Sequence, residues 1–232
     1  MVRGAPLPPV TYSLYLDDRE ANIHTVCLCR PHAVRGPERR ANASRSAATR
    51  AALTGAAREL FTERGYAGVG TEDIVRRAQV TRGALYHHFA DKRDLFRAVH
   101  ELVEQEMVAA IVEAMEGVED PVELLLVGAR RFLDLCVQPE WTRIPLIDAP
   151  SVLGWLEWRE VDQRYGLGLV TAGLDLGMQT GALRRQPVTP LAHVLLAGMG
   201  EAALMIASAK EPKAVRAEVE ATLVGLIEGL RT

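Results

Sequence analysis

The sequence predicts an all-α fold, on three observations. Aromatic residues make up only 5% of the 232 residues while Ala, Leu, Val and Arg abound, a composition that favours helices. Apolar residues recur at three- and four-residue spacing along most of the chain from Ser46 onward, as a helix with one buried face requires. Alternating segments of strand period are essentially absent. The 48% hydrophobic and 25% charged fractions belong to a globular protein and exclude a disordered or collagen-like chain. The length suits one or two domains.

Residues 1–44 show no helical period. They are interrupted by Pro6, Pro8 and Pro9 and leave through Arg35, Arg39 and Arg40, so they read as a disordered arm, with Thr11–Tyr15 as a short isolated strand at most. Arg39, Arg40, Arg45 and Arg50 suit an extension along a minor groove. His24, Cys27, Cys29 and His32 fall close together, but the Cys-x-Cys step is atypical of zinc sites, and no metal or other cofactor is expected.

Helical elements follow in order. Leu53, Ala56, Ala57, Leu60 and Phe61 form one face of a first helix that Gly65 ends. Thr71 is placed as an N-cap, with Glu72 and Asp73 in the first turn and Ile74, Val75 and Ala78 on one face. A third helix runs from Arg82 to Phe89, with Leu85 and Phe89 inward. Asp91 caps a fourth, whose apolar face is Leu95, Phe96, Val99, Leu102 and Val103. Asp120-Pro121 opens a helix to about Cys136, and prolines bracket a short piece around Trp141–Asp148. A long run from Ser151 to Gly181 is expected to break near Gly166-Leu167-Gly168. Pro187 and Pro190 precede a helix to Lys210, and Pro212 starts the last, ending near Leu230. The domains are read as the arm at 1–44, a small helical domain at 45–98 and a larger one at 99–232.

The net charge of −3 argues at first against a nucleic-acid partner, but it is an average. Residues 36–100 hold twelve basic and seven acidic residues, and residues 101–232 hold eleven basic and twenty acidic. A small basic module therefore precedes a larger acidic one, and such asymmetry implies different partners. Three cysteines are too few for a disulfide scaffold, so the cytoplasm is the expected compartment. No secretory signal is visible, and the most apolar window, Leu191–Ala207, carries His193 and Glu201 and is read as a buried helix short of a membrane span.

Two short helices joined by the three residues Gln79-Val80-Thr81, behind a longer first helix, make a helix-turn-helix geometry. In such a unit the second helix enters the major groove and its N-terminal residues, here Thr81, Arg82, Gly83 and Ala84, meet base edges. Arg82 suits guanine or a phosphate. Gly83 costs about 1 kcal/mol of helix propensity relative to Ala, a choice that makes sense where backbone approaches DNA. Tyr86 and His87 lie opposite Leu85 and Phe89 and can donate to phosphates. Lys92 opposes the dipole of the fourth helix, which a nearby phosphate would explain.

The stretch Leu53–Phe96 resembles the DNA-binding domain of TetR-family transcriptional regulators. The landmarks are Ala57-Arg58-Glu59-Leu60-Phe61, Arg64-Gly65-Tyr66, Asp73-Ile74 and Leu85-Tyr86-His87-His88-Phe89, then Asp91-Lys92 and Leu95. The resemblance implies that Thr71, Thr81, Arg82, Gly83, Ala84, Tyr86, His87 and Lys92 face DNA. It departs from the family at Gln79, where glycine is common; if that residue needs positive φ, glutamine costs roughly 1–2 kcal/mol there. The resemblance further implies a homodimer on a palindromic operator and a helical C-terminal domain that binds a small effector. Ala192, Ala197, Gly198, Gly200, Ala202, Ala203 and Ala207 support the dimer independently, since small residues let helices 191–210 and 213–230 pack closely with a second copy.

An effector pocket is expected between the helices of the acidic domain. Its candidate lining is Phe132, Cys136, Trp141, Leu153, Trp155, Trp158 and Met178, and its ligand a mostly apolar small molecule. His87 faces DNA while His88 turns towards the core, and His100 with Glu104 reads as a solvated surface pair. Gly173-x3-Gly177 reads as a helix crossing. No nucleophile–base–acid constellation stands in the acidic domain, so no catalytic residues are expected, and the acidic charge opposes non-specific DNA packaging. A ligand-responsive repressor follows as the expected function, with an activator or a ligand-independent regulator as the alternative.

Overall fold

Helix formation begins at Pro37 in the computed structural model, which describes residues 37–232. The expectations for Thr11–Tyr15 and for His24, Cys27, Cys29 and His32 lie outside the described residues. The disordered arm expected at 1–44 is corrected at its end, because residues 37–44 belong to α1 (Pro37–Arg64). Gly65, at φ 71°, ends α1 where the sequence places its stop, as a left-handed C-terminal cap does.

Three helices follow closely: α2 (Thr71–Arg77), α3 (Arg82–His88) and the long α4 (Lys92–Met115). They share one core, in which Leu53, Ala57, Phe61, Ile74, Leu85, Leu95 and Phe96 are fully buried. Phe61, Tyr66 and Phe96 stack tilted or edge-on within it, ring centroids 5.1–5.7 Å apart, the preferred aromatic geometry. Thr81 caps α3 by accepting from Ala84 N–H at 3.2 Å, and Asp91 caps α4 by accepting from Asp94 N–H at 2.8 Å. The cap of α2 differs from expectation. Gly70 holds that position and Thr71 is already helical; the Asp73 carboxylate accepts from Gly70 N–H at 3.2 Å and supplies the polar partner instead.

The remaining helices are α5 (Pro121–Cys136), α6 (Ala149–Leu153), α7 (Trp155–Asp162), α8 (Gly168–Gln179), α9 (Val188–Ser208) and α10 (Pro212–Glu228). Helix α5 is central and packs on α4, α8, α9 and α10. The run expected to break near Gly166–Gly168 breaks instead at Gly154, where φ is 80°. At the expected place the chain widens into π-turn geometry over Gln163–Leu167 and passes directly into α8, because Gly168 keeps a helical φ of −59°. Gly173 marks a helix crossing, as expected: a Cβ there would stand 2.6 Å from Leu125 of α5. No strand forms among the described residues, and one isolated bridge joins Leu183 to Arg231.

Helix α9 exceeds expectation in one respect. Its 21 residues are long and apolar enough to cross a membrane by length and composition. It packs against α5, α8 and α10 through Ala192, Leu195, Ala202, Ala203 and Ile206, but only 28% of its apolar window is buried, so the buried helix expected here is covered on one face only. The boundary expected at 98/99 falls inside α4, and the two modules share a core. Ile144, Ala149 and Leu153 are buried in the same cluster as Leu60, Phe61 and Leu95. Asp148 accepts a hydrogen bond from Tyr66 N–H at 2.8 Å, and Arg93 donates to the carbonyls of Val152 and Leu153.

Candidate nucleic-acid interface

Helix α3 is pinned by one face and open on the other. Leu85 and Phe89 are buried, whereas Thr81, Arg82, Gly83, Tyr86 and His87 are exposed. Ala84 and His88 are half-buried, and Thr71, at the start of α2, is too. The fold thus brings seven of the eight residues expected to face DNA to the helix-turn-helix surface. Arg50 of α1 holds the end of α3 in place: it donates to the His88 carbonyl at 3.3 Å and lies 4.4 Å over the Phe89 ring.

The open face is prepared for an anionic, hydrogen-bonding partner. Arg82 pairs loosely with Glu72 at 3.1 Å, both side chains being about two-thirds exposed. Such a surface pair is worth little, so Arg82 is free to exchange Glu72 for another acceptor. Its guanidinium also lies 5.6 Å from the Tyr86 ring centroid. At Gly83 an added Cβ would meet nothing of the chain nearer than Thr81 Oγ1 at 3.9 Å. Nothing within the protein demands glycine there.

Lys92 is placed differently from its seven companions. Its Nζ turns inward and donates to the carbonyls of Tyr66 and Val69, both at 2.8 Å, over the Tyr66 ring. Burial lowers its pKa from the ordinary lysine value. Peptide carbonyls thus supply part of what a lysine at a helix N-terminus lacks, and Lys92 braces the turn that delivers α2.

The acidic body encloses a cavity of about 100 Å³ among α4, α5, α8, α9 and α10, of the order of the roughly 150 Å³ that accepts a benzene molecule. Met107, Ile111, Leu125, Phe132, Leu169 and Leu196 are among its apolar walls. Of the seven lining residues expected from the sequence, Phe132 alone lines it. Cys136 and Met178 are packed into buried clusters beside it, and burial pushes the Cys136 thiol up. Leu153, Trp141 and Trp158 pack against the core shared with the DNA-binding helices, where Trp158 Nε1 donates to the Pro145 carbonyl at 2.8 Å. Trp155 is 63% exposed. Large aromatic residues were the wrong signal; medium aliphatic side chains and methionines make the walls.

The sequence reading missed the polar end of this cavity. His100 and Glu104, expected on the surface, are 0% and 9% exposed. The acidic body covers this side of α4, and that covering comes from residues distant in the chain. Asp162 of α7 joins Glu104 in lining the cavity, and its pKa is raised to about 6 by burial and by the nearby Glu104 carboxylate.

A helix-turn-helix on a small helical core, fused to a larger helical body, defines a class of DNA-binding regulator. Residues 53–99 match the family model for bacterial regulatory proteins of the tetR family, and residues 122–230 match a tetracyclin repressor-like C-terminal domain. A crystal structure of a TetR-family transcriptional regulator from Pectobacterium atrosepticum is 33% identical and superposes with a TM-score of 0.73, over 82% of this chain and 97% of that one. The Transposon Tn10 TetC protein of Escherichia coli is 28% identical over 145 residues, 62% of this chain and 72% of that protein. The transcriptional activator FasR of Mycolicibacterium smegmatis is 32% identical over 99 residues, 43% of this chain and 45% of that protein. The chain belongs to the TetR family of transcriptional regulators and is a DNA-binding regulator.

Proposed function

We propose that the protein is a cytoplasmic, ligand-responsive repressor that binds a palindromic operator as a homodimer and leaves it when a small molecule fills the cavity. The observation that carries this reading is the position of the segment Arg143–Asp148. Its Pro145 and Leu146 line the cavity, while its Asp148 holds Tyr66 and its Ile144 is buried against the DNA-binding helices. A ligand that displaces Pro145 and Leu146 therefore acts on the element that seats the helix-turn-helix. Ligand binding then shifts a two-state equilibrium by its differential affinity for the two states.

On DNA, Arg82 reads a base edge, with Thr81, Gly83 and Ala84 close to the groove floor. Thr71, Tyr86 and His87 contact phosphates or sugars. Lys92 has spent two of its three ammonium donors on Tyr66 and Val69 and offers a phosphate the third. The likeness to FasR keeps one second reading open, in which the bound protein activates transcription. Footprinting on the DNA upstream of its own gene tests the proposal. A protected palindrome is expected, and Arg82→Ala relaxes sequence preference at one position of each half-site, at about 1–3 kcal/mol. Uniform coverage, or an equal loss on every sequence, contradicts it. A reporter gene behind that operator separates repression from activation.

A further inference from the structure

The cavity has one polar end. Glu104 and Asp162 are the only charged side chains lining it among the described residues; the remainder of the wall is aliphatic, methionine, phenylalanine, proline or glycine. Glu104 is 9% exposed, and no donor among the described residues reaches its carboxylate with hydrogen-bond geometry. The fully buried His100 of the same helix has Nε2 at 3.4 Å from Glu104 Oε1, and neither imidazole nitrogen has a hydrogen-bond partner. Asp162 has one partner, Arg159, at 3.2 Å through Oδ2. A carboxylate in a cavity wall that no donor of the protein reaches is an acceptor directed at whatever enters.

We infer that this end selects a small organic cation, an amine or amidine on a compact apolar body. The inference rests on reading the cavity as the effector site and names the effector's chemistry. An ammonium gives Glu104 the donors it lacks and offsets the repulsion between Glu104 and Asp162 at once. A hydroxyl supplies one donor and no charge, and an anion meets two carboxylates. A metal ion fits poorly, because no group of three or more ligating side chains converges among the described residues. The apolar walls take the body of the ligand, at about the size of a single ring.

Titration calorimetry of the full chain with benzylamine, benzyl alcohol and benzoate tests this. Benzylamine binds about tenfold or more tighter than benzyl alcohol, as a charge-assisted hydrogen bond in a buried site provides, and benzoate is weakest. Glu104→Gln removes the preference for the amine over the alcohol, and Asp162→Asn weakens the amine several-fold. The inference is overturned if the alcohol or benzoate binds as tightly as the amine, if none of the three binds at millimolar concentration, or if Glu104→Gln leaves the preference intact. Operator affinity, measured in parallel, separates this from the reading beneath it. Amine binding that leaves operator affinity unchanged refutes the effector assignment and keeps the selectivity. Release by benzyl alcohol alone does the reverse.

Discussion

Gln79 shows how a single residue exposes a local conflict. It is the one non-glycine residue with positive φ among those described, at 55°, in the turn between α2 and α3. A Cβ in the left-handed region costs roughly 1–2 kcal/mol. Gln79→Gly is therefore expected to raise the stability of the folded protein by about 1 kcal/mol in urea denaturation, without loss of DNA binding, and an unchanged midpoint contradicts the strain. This position was legible through the family resemblance, in which glycine is common there. Asp162 was not, since its environment is assembled from α4 and α7. His100 and Glu104 face it from α4 and Arg159 from its own helix. Its pKa rises from 3.8 to about 6, so between those values the folded state holds more proton than the unfolded state. Its contribution to stability is complete below the unfolded pKa and is lost as pH rises through the folded one. Asp162→Asn should accordingly stabilise the protein at pH 7.5 by about 1–2 kcal/mol, after discounting for partial solvent screening, and not at pH 4. Denaturation midpoints at the two pH values measure it; an equal gain at both would assign the effect to packing.

Among the elements, α3 is the clearest case of local structure held below its optimum. Its seven residues include a glycine that no internal contact demands, since the space around Gly83 is open. Gly83→Ala is expected to stabilise α3 by about 0.5–1 kcal/mol and to weaken operator binding, because the added methyl occupies the surface nearest the groove. Thermal denaturation and a binding isotherm on one preparation check both halves. A gain in stability with unchanged DNA affinity places Gly83 away from DNA. Element by element, the sequence predicted most helices from spacing and caps, as at Thr81 and Asp91. It failed where a turn has two glycine-bearing candidates: Gly154, not Gly166–Gly168, takes positive φ, and helical periodicity does not distinguish them. The cavity lining was illegible for a related reason. Which face of α4 or α5 borders a void depends on where α8, α9 and α10 cross, and crossing geometry is set by packing across the whole bundle.

At the scale of the whole molecule, the described residues leave an apolar face uncovered on α9 and α10, and this is the face the proposed homodimer would use. Val194 is 68% exposed and Leu226 56%; Leu204 and Met205 are also exposed, with Ala197, Gly198, Ala217, Ala221 and Gly225 between them on α9 and α10. Large side chains edged by alanine and glycine allow a second pair of helices to approach closely, and exposed apolar surface of this kind marks an interaction site. The basic module and the acidic body argue for the same arrangement. One helix-turn-helix reads a single half-site, and a symmetric pair adds the second at high effective concentration. Placing an arginine in the middle of this face, by Leu226→Arg, should therefore convert a dimer to a monomer in sedimentation velocity. The same variant should lose operator affinity by about 100-fold or more while keeping its helical content. Its denaturation midpoint should also become independent of protein concentration, whereas the parent's rises with concentration because association stabilises the folded state. A variant that sediments with the parent, or a monomer that holds the operator undiminished, would place the dimer contact elsewhere than α9 and α10.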